Sequence, residues 1–141
     1  MKTKILIVDD DENIRAAVKA AFAGVYDVIS AADGPAALEA MKNEKPDFVF
    51  LDIKMPGMSG LEVLVCVKEK GLTSMIWMLT GEEELAVAMK ALESGAKGYL
   101  TKPFTLESLR NVVSGALDGL DKKEHPKDHS DRPWTVKRNE K

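Results

Sequence analysis

Asp9, Asp10, Asp52, Thr80 and Lys102 are the residues of this sequence whose types could do chemistry together. Each stands at or just past the end of a short apolar run. Ile5-Leu6-Ile7-Val8 leads into Asp9-Asp10, and Phe48-Val49-Phe50-Leu51 into Asp52. Met75-Ile76-Trp77-Met78-Leu79 leads into Thr80-Gly81, and Gly98-Tyr99-Leu100 into Thr101-Lys102-Pro103. Continuous apolar runs of this length read as strands buried on both faces, the kind found in parallel sheets. In such a sheet all strands end on one edge, so residues far apart in sequence converge on one rim. Three carboxylates brought together repel one another and suit a hard cation with oxygen ligands. Mg²⁺ fits, because it needs few carboxylates and keeps waters. A hydroxyl and an ammonium beside a metal and a carboxylate suit phosphoryl transfer, which depends on positioning and charge neutralisation. A carboxylate can also be the nucleophile and form an aspartyl-phosphate.

Taken singly, each residue has a plainer reading. An Asp can cap a helix or a loop, Thr80 can cap the helix that follows it, and Lys102 can be a solvated lysine. The set of strand ends is what favours the chemical reading.

The intervening segments read as helices. Ile14, Ala17, Val18, Ala21 and Phe22 fall on one helical face, and Gly24 ends that helix. Tyr26 to Ser30 alternates in part, as an edge strand would. Asp33-Gly34-Pro35 is a helix start, with Leu38 and Met41 on the inner face, and Lys45-Pro46 breaks that helix. Leu61 to Lys70 is apolar nearly all round and closes at Gly71. Val63, Cys66 and Val67 on it could pack inward or mark a partner surface. Glu82-Glu83-Glu84 places acids in a first helical turn, favourable for the helix dipole, with Leu85, Ala88, Met89 and Leu92 expected inward. Thr105 is a candidate N-cap for a last helix carrying Leu106, Leu109, Val113, Ala116, Leu117 and Leu120. Strand and helix thus alternate five times, which argues an α/β fold with helices on both faces of a parallel sheet. Trp77 reads as core, Cys66 as a small inert hydrophobe, and His125 and His129 as solvated, since Pro126 between them argues against a helix.

The chain has 141 residues, a net charge of −3 and a 45% hydrophobic composition, ordinary for one soluble domain. Residues 121–141 hold seven basic and five acidic side chains, a net +2 against −5 for the first 120. Periodicity stops there, so residues 1–120 are expected to form the domain and 121–141 a charged mobile tail or linker. One cysteine excludes an internal disulfide and fits a reducing compartment. No apolar stretch reaches the ~20 residues of a membrane span, and Asp9-Asp10-Asp11 interrupts the N-terminal run too early for a signal peptide. A cytoplasmic protein is expected, with no membrane contact and no direct contact with nucleic acid.

Val8-Asp9-Asp10, Leu51-Asp52-Ile53-Lys54-Met55-Pro56-Gly57-Met58-Ser59-Gly60, Leu79-Thr80-Gly81 and Tyr99-Leu100-Thr101-Lys102-Pro103-Phe104, in this order, resemble the receiver domain of bacterial two-component response regulators. The resemblance covers about residues 3 to 120. It implies a flavodoxin-like (CheY-like) fold, a doubly wound five-stranded parallel sheet in order 2-1-3-4-5 flanked by five helices. It implies that Asp52 takes a phosphoryl group from the phosphohistidine of a sensor histidine kinase or phosphotransfer protein. Asp10, Asp52 and the backbone carbonyl of Lys54 would ligate Mg²⁺, and Asp9 would act through water. Thr80 and Lys102 would contact the phosphoryl oxygens. Movement of the Thr80 hydroxyl and of Tyr99 would then repack the face of the fourth helix, fifth strand and fifth helix, where a downstream protein docks or a homodimer forms. The Lys102-Pro103 bond is often cis in the family. Lys54 and Glu82 occupy positions that flank the path of the hydrolytic water, and the expectation is that they pair across the site and slow dephosphorylation.

The resemblance makes this a phosphoacceptor switch that assists its own phosphorylation and dephosphorylation rather than an enzyme. Two alternatives are an aspartyl-phosphate phosphatase and a receiver-like interaction module that is never phosphorylated. Haloacid-dehalogenase-like phosphatases use a similar residue set, but their nucleophile comes first in the chain and their acidic pair last. A flavodoxin-like FMN protein would need a phosphate-binding loop where Asp9-Asp10-Asp11-Glu12 stands.

Overall fold

The computed structural model describes residues 3–121, so residues 122–141 of the expected tail lie outside the described residues. Five strands form one sheet: β1 (Lys4–Val8), β2 (Asp27–Ala31), β3 (Phe48–Asp52), β4 (Met75–Thr80) and β5 (Gly98–Thr101). All pair in parallel, in the order β2-β1-β3-β4-β5. The helices are α1 (Glu12–Phe22), α2 (Gly34–Glu44), α3 (Gly60–Lys70), α4 (Leu85–Glu93) and α5 (Leu106–Asp121), with a 3₁₀ turn at Glu82–Glu84. This is the flavodoxin-like arrangement expected from the motifs.

The apolar runs explain the sheet. Every residue of β3 is buried, as a central strand covered on both faces requires. Leu6, Val8, Val49, Leu51, Ile76 and Met78 join one core with Ala37, Met41, Val63, Leu64, Val67, Ala88 and Ala91 of α2, α3 and α4. Their alternates Ile5, Ile7, Phe48 and Phe50 face the other side, where α1 buries Val18, Ala21 and Phe22. Trp77 is core, as expected, and its ring lies where a Cβ on Gly98 would fall, 2.8 Å away. The edge strand β2 is only partly buried.

Polar residues set the helix starts. Asp11 accepts from the Asn13 N–H at 2.8 Å and Asp33 from the Ala36 N–H at 2.9 Å. Ser59 and Glu62 form a reciprocal capping box at α3, and Gly71, at φ 69°, closes that helix in the left-handed region.

Two expectations about helix faces are corrected. Leu85 and Met89 were expected inward but are 38% and 53% exposed, while Ala88 and Ala91 are fully buried. The three acids are consumed by the 3₁₀ turn, so α4 begins at Leu85 and its inner stripe runs through small residues. Leu106 is likewise exposed and Val112 buried.

Residues 1–104 form one contact unit holding the whole sheet and α1 to α4. A second unit begins at Thr105 and holds α5. Thr105 caps that helix, accepting from the Ser108 N–H at 3.0 Å, and Leu109, Val112 and Val113 are buried. Leu117 and Leu120, expected on its apolar stripe, lie outside the described side chains. Among the described residues no helix is long and apolar enough to cross a membrane.

Candidate functional site

The strand ladders deliver the expected residues to one edge. Asp9 continues β1, donating its N–H to the Ala31 carbonyl at 3.2 Å. Ile53, just past Asp52, donates to Leu79 at 3.0 Å, and Lys102 donates to Thr80 at 2.7 Å. Each chain therefore stays in register until the chemical side chain has been placed. The carboxylates of Asp9, Asp10 and Asp52 lie within 4.8 Å of one another. Asp9 and Asp52 are buried at 0% and 4% exposure, while Asp10 is exposed. The loop after Asp52 is pulled back tightly. Gly60 donates to the Ile53 carbonyl at 2.8 Å, and a Cβ at Gly60 would overlap the Asp52 carbonyl oxygen. Only glycine fits there.

Lys102 reaches into this cluster. Its Nζ lies 2.9 Å from Asp9 Oδ2 and donates to Asp52 Oδ1 at 3.2 Å. Burial pushes the Asp52 carboxyl up to about 6, and the Asp9 charge adds to this, against the opposing pull of Lys102. Burial opposes the charge on Lys102, but its contacts with Asp9 and Asp52 outweigh it and hold the ammonium above its ordinary range. Asp52 is thus a carboxylate kept ionised near neutrality by one cation, with no hydrogen bond to its Oδ2 among the described residues.

Thr80 is fully buried and its hydroxyl donates to the Gly81 carbonyl at 2.9 Å. Tyr99 is half-buried, packed against the core cluster. The Lys102–Pro103 peptide bond is cis. Lys54 is 76% exposed, and the expected pairing with Glu82 is corrected: its Nζ lies 3.6 Å from Glu84 Oε2. Glu82 is exposed and forms no ion pair among the described residues. The 3₁₀ turn is the reason. It folds Glu84 back so that its Oε1 accepts from the Gly81 N–H at 3.3 Å.

The donor set fits a small hard cation. Asp9 Oδ1 is engaged by the Asp11 N–H at 3.0 Å, but the buried Oδ2 makes only the ion pair with Lys102 and no aligned hydrogen bond. A buried carboxylate oxygen with acceptor capacity to spare, beside two other carboxylates, is suited to a cation or its bound water.

Three residues at the site were not read from the sequence. Arg15 donates to the Asp9 carbonyl at 2.8 Å and fixes the loop into α1. Its signal was weak, a basic residue one helical turn past an N-cap. Gly60 was read only as part of a motif. Glu84 stood in an acidic run whose members look alike in sequence.

The chain matches the response regulator receiver domain family over residues 5–114. It is 41% identical over 118 residues to the alkaline phosphatase synthesis transcriptional regulatory protein PhoP of Bacillus subtilis, covering 83% of this chain and 49% of that one. It is 37% identical over 118 residues to sporulation initiation phosphotransferase F of the same organism, covering 83% of this chain and 95% of that one. It thus spans about half the length of PhoP and of the mycobacterial MprA response regulators, but nearly all of the phosphotransferase. Among solved structures it resembles a chemotaxis protein of Vibrio cholerae, with TM-score 0.74 and 34% identity over 81% of this chain and 98% of that one. The receiver domain of NtrX from Brucella abortus is similar, with TM-score 0.75 and 32% identity over 81% and 98%. With the motifs, the fold and these relatives in agreement, the chain belongs to the response regulator receiver domain family.

Proposed function

We propose that Asp52 accepts a phosphoryl group from the phosphohistidine of a histidine kinase or phosphotransfer protein, and that the domain acts as a phosphorylation switch. The observation that carries this is the buried Asp52 carboxylate, raised to about 6 and held beside Lys102. At pH 7 a group of that pKa is about nine-tenths ionised and is more basic than an ordinary aspartate. Asp52 Oδ2 attacks phosphorus as the phosphorus–nitrogen bond of the donor breaks. The electron pair leaves with the imidazole, which is protonated, and an acyl phosphate remains. Lys102 stabilises the charge that develops on the phosphoryl oxygens. Asp10, Asp52 and the Lys54 carbonyl would hold Mg²⁺ directly, and Asp9 through water. When bound, the ion neutralises the equatorial oxygens and lets donor and acceptor, both anionic, approach.

The Thr80 hydroxyl turns from the Gly81 carbonyl to a phosphoryl oxygen, and Tyr99 moves inward. The face of α4 and β5 then changes and docks a downstream protein or a second copy. The exposed Leu85 and Met89 of α4 supply apolar contact area for such a partner. The Lys54 side chain, paired with Glu84 rather than Glu82, restricts the approach of water and lengthens the life of the acyl phosphate. The domain turns over no external substrate. A cytoplasmic location accords with one free thiol, Cys66, and with a kinase partner there.

The test is transfer from a phosphorylated histidine-kinase domain. The label should appear once per chain, be released by hydroxylamine as acyl phosphates are, and be absent from Asp52→Asn. Continuous release of phosphate from small phosphate esters, with no stoichiometric label, would instead make the protein a phosphatase.

A further inference from the structure

Glu84 is a carboxylate only 15% exposed in a run of three acids whose other members are exposed. It grips the residue after Thr80 from two sides. Its N–H donates to the Gly81 carbonyl at 3.0 Å, and its Oε1 accepts from the Gly81 N–H at 3.3 Å. The same Gly81 carbonyl accepts from the Thr80 hydroxyl at 2.9 Å. The other carboxylate oxygen of Glu84, Oε2, lies 3.6 Å from Lys54 Nζ, in the loop that follows Asp52. One side chain therefore spans the two loops that flank the acceptor carboxylate.

We infer that Glu84 is a positioning residue, a latch that holds the Thr80–Gly81 peptide in its resting arrangement and ties it through Lys54 to the loop after Asp52. The inference rests on the function proposed above. A hydroxyl has one hydrogen, so Thr80 cannot donate to Gly81 and to a phosphoryl oxygen at once. Whatever fixes the Gly81 carbonyl favours the resting state, and release of the latch moves the population toward the phosphoryl-binding one. The restraint is one hydrogen bond to a charged acceptor plus one exposed ion pair. Its loss should change the population by roughly two- to tenfold.

The test is the initial rate at which the whole chain takes up label from acetyl phosphate and Mg²⁺. Glu84→Ala should react roughly two- to tenfold faster than wild type. Lys54→Met, which removes only the exposed ion pair, should react up to about threefold faster. Simple electrostatics gives Lys54→Met the opposite sign, because removing a cation should slow an anionic donor. Glu93→Gln, an equal loss of charge at the exposed far end of α4, should stay within about 1.5-fold of wild type. In the unphosphorylated protein, the Gly81 amide resonance should move in Glu84→Ala and Lys54→Met but not in Glu93→Gln. The inference is overturned if both latch variants react at or below the wild-type rate, or if Glu93→Gln matches Glu84→Ala. If Glu84→Ala fails to fold, Lys54→Met alone decides, because its side chain is exposed. No label on wild type would sink the reading of Asp52 and the latch with it; label on wild type with equal rates in the latch variants sinks the latch alone.

Discussion

Lys102 donates to Asp52 across 3.2 Å, and this contact joins the end of β5 to the end of β3. Among the described residues it is the one cation holding two buried carboxylates, since the same ammonium lies 2.9 Å from Asp9 Oδ2. Replacing Lys102 with alanine leaves both acids buried and unpaired. The Asp52 carboxyl should then rise above its present value of about 6, read by carbon NMR of the side chain. Stability at pH 7 should fall by about 3 kcal/mol, the scale for breaking a buried ion pair, and label uptake by about 10²-fold.

Acid should stabilise the metal-free protein through Asp52. Its folded value of about 6 lies above the ordinary 3.8, so the folded state binds the proton more tightly than the unfolded chain. Between those values stability falls as pH rises, and the strain is fully present above pH 6. Asp52→Asn removes it, and without divalent cation the variant should be more stable than wild type at pH 7. The gain, on the order of 1–3 kcal/mol, should shrink towards pH 4. Urea unfolding in EDTA at pH 4.5 and 7 measures both. A variant equally stable to wild type at both pH values would contradict the buried-charge account.

Mg²⁺ should reverse that strain. At tenfold over its dissociation constant the ion should add about 1.4 kcal/mol of stability, removed by EDTA. Asp10→Asn should abolish most of the gain. Asp10 is exposed, so the substitution leaves the core intact and isolates the ligand role. Thermal melts with and without Mg²⁺ read the difference.

Two glycines should respond differently to alanine. At Gly60 the added carbon meets the Asp52 backbone, which cannot move without displacing the acceptor, so Gly60→Ala should cost more than about 2 kcal/mol and slow labelling. At Gly34 it meets Met58, Sδ at 2.7 Å but also Cβ at 2.8 Å, so only part of the contact can swing away. Gly34→Ala should cost about 1–2 kcal/mol, and a second change, Met58→Ala, should recover only the part due to the thioether. Denaturant midpoints of the three proteins decide.

The sheet was legible because its central strands β1, β3 and β4 are buried on both faces. Phe48-Val49-Phe50-Leu51 needs no partner to be recognised, and parallel pairing then puts Asp9, Asp52, Thr80 and Lys102 on one edge whatever their spacing. The face of α4 was not legible. Leu85, Met89, Ala88 and Ala91 are all apolar, and only the 3₁₀ turn before them decides which stripe lies against the sheet. The same turn decides that Glu84, not Glu82, meets Lys54. Local backbone geometry of one residue pitch separates these outcomes, and three consecutive glutamates carry no signal of it. Arg15 escaped because its partner is a backbone carbonyl, which leaves no mark in sequence.

The most direct measurement is intact-protein mass after treatment with acetyl phosphate and Mg²⁺, with Asp52→Asn alongside. One phosphoryl group on wild type, lost on adding EDTA beforehand and absent from the variant, is the expected result. A well-folded wild type that gains no mass, or an Asp52→Asn variant that labels equally, would contradict the assignment of Asp52 as the acceptor.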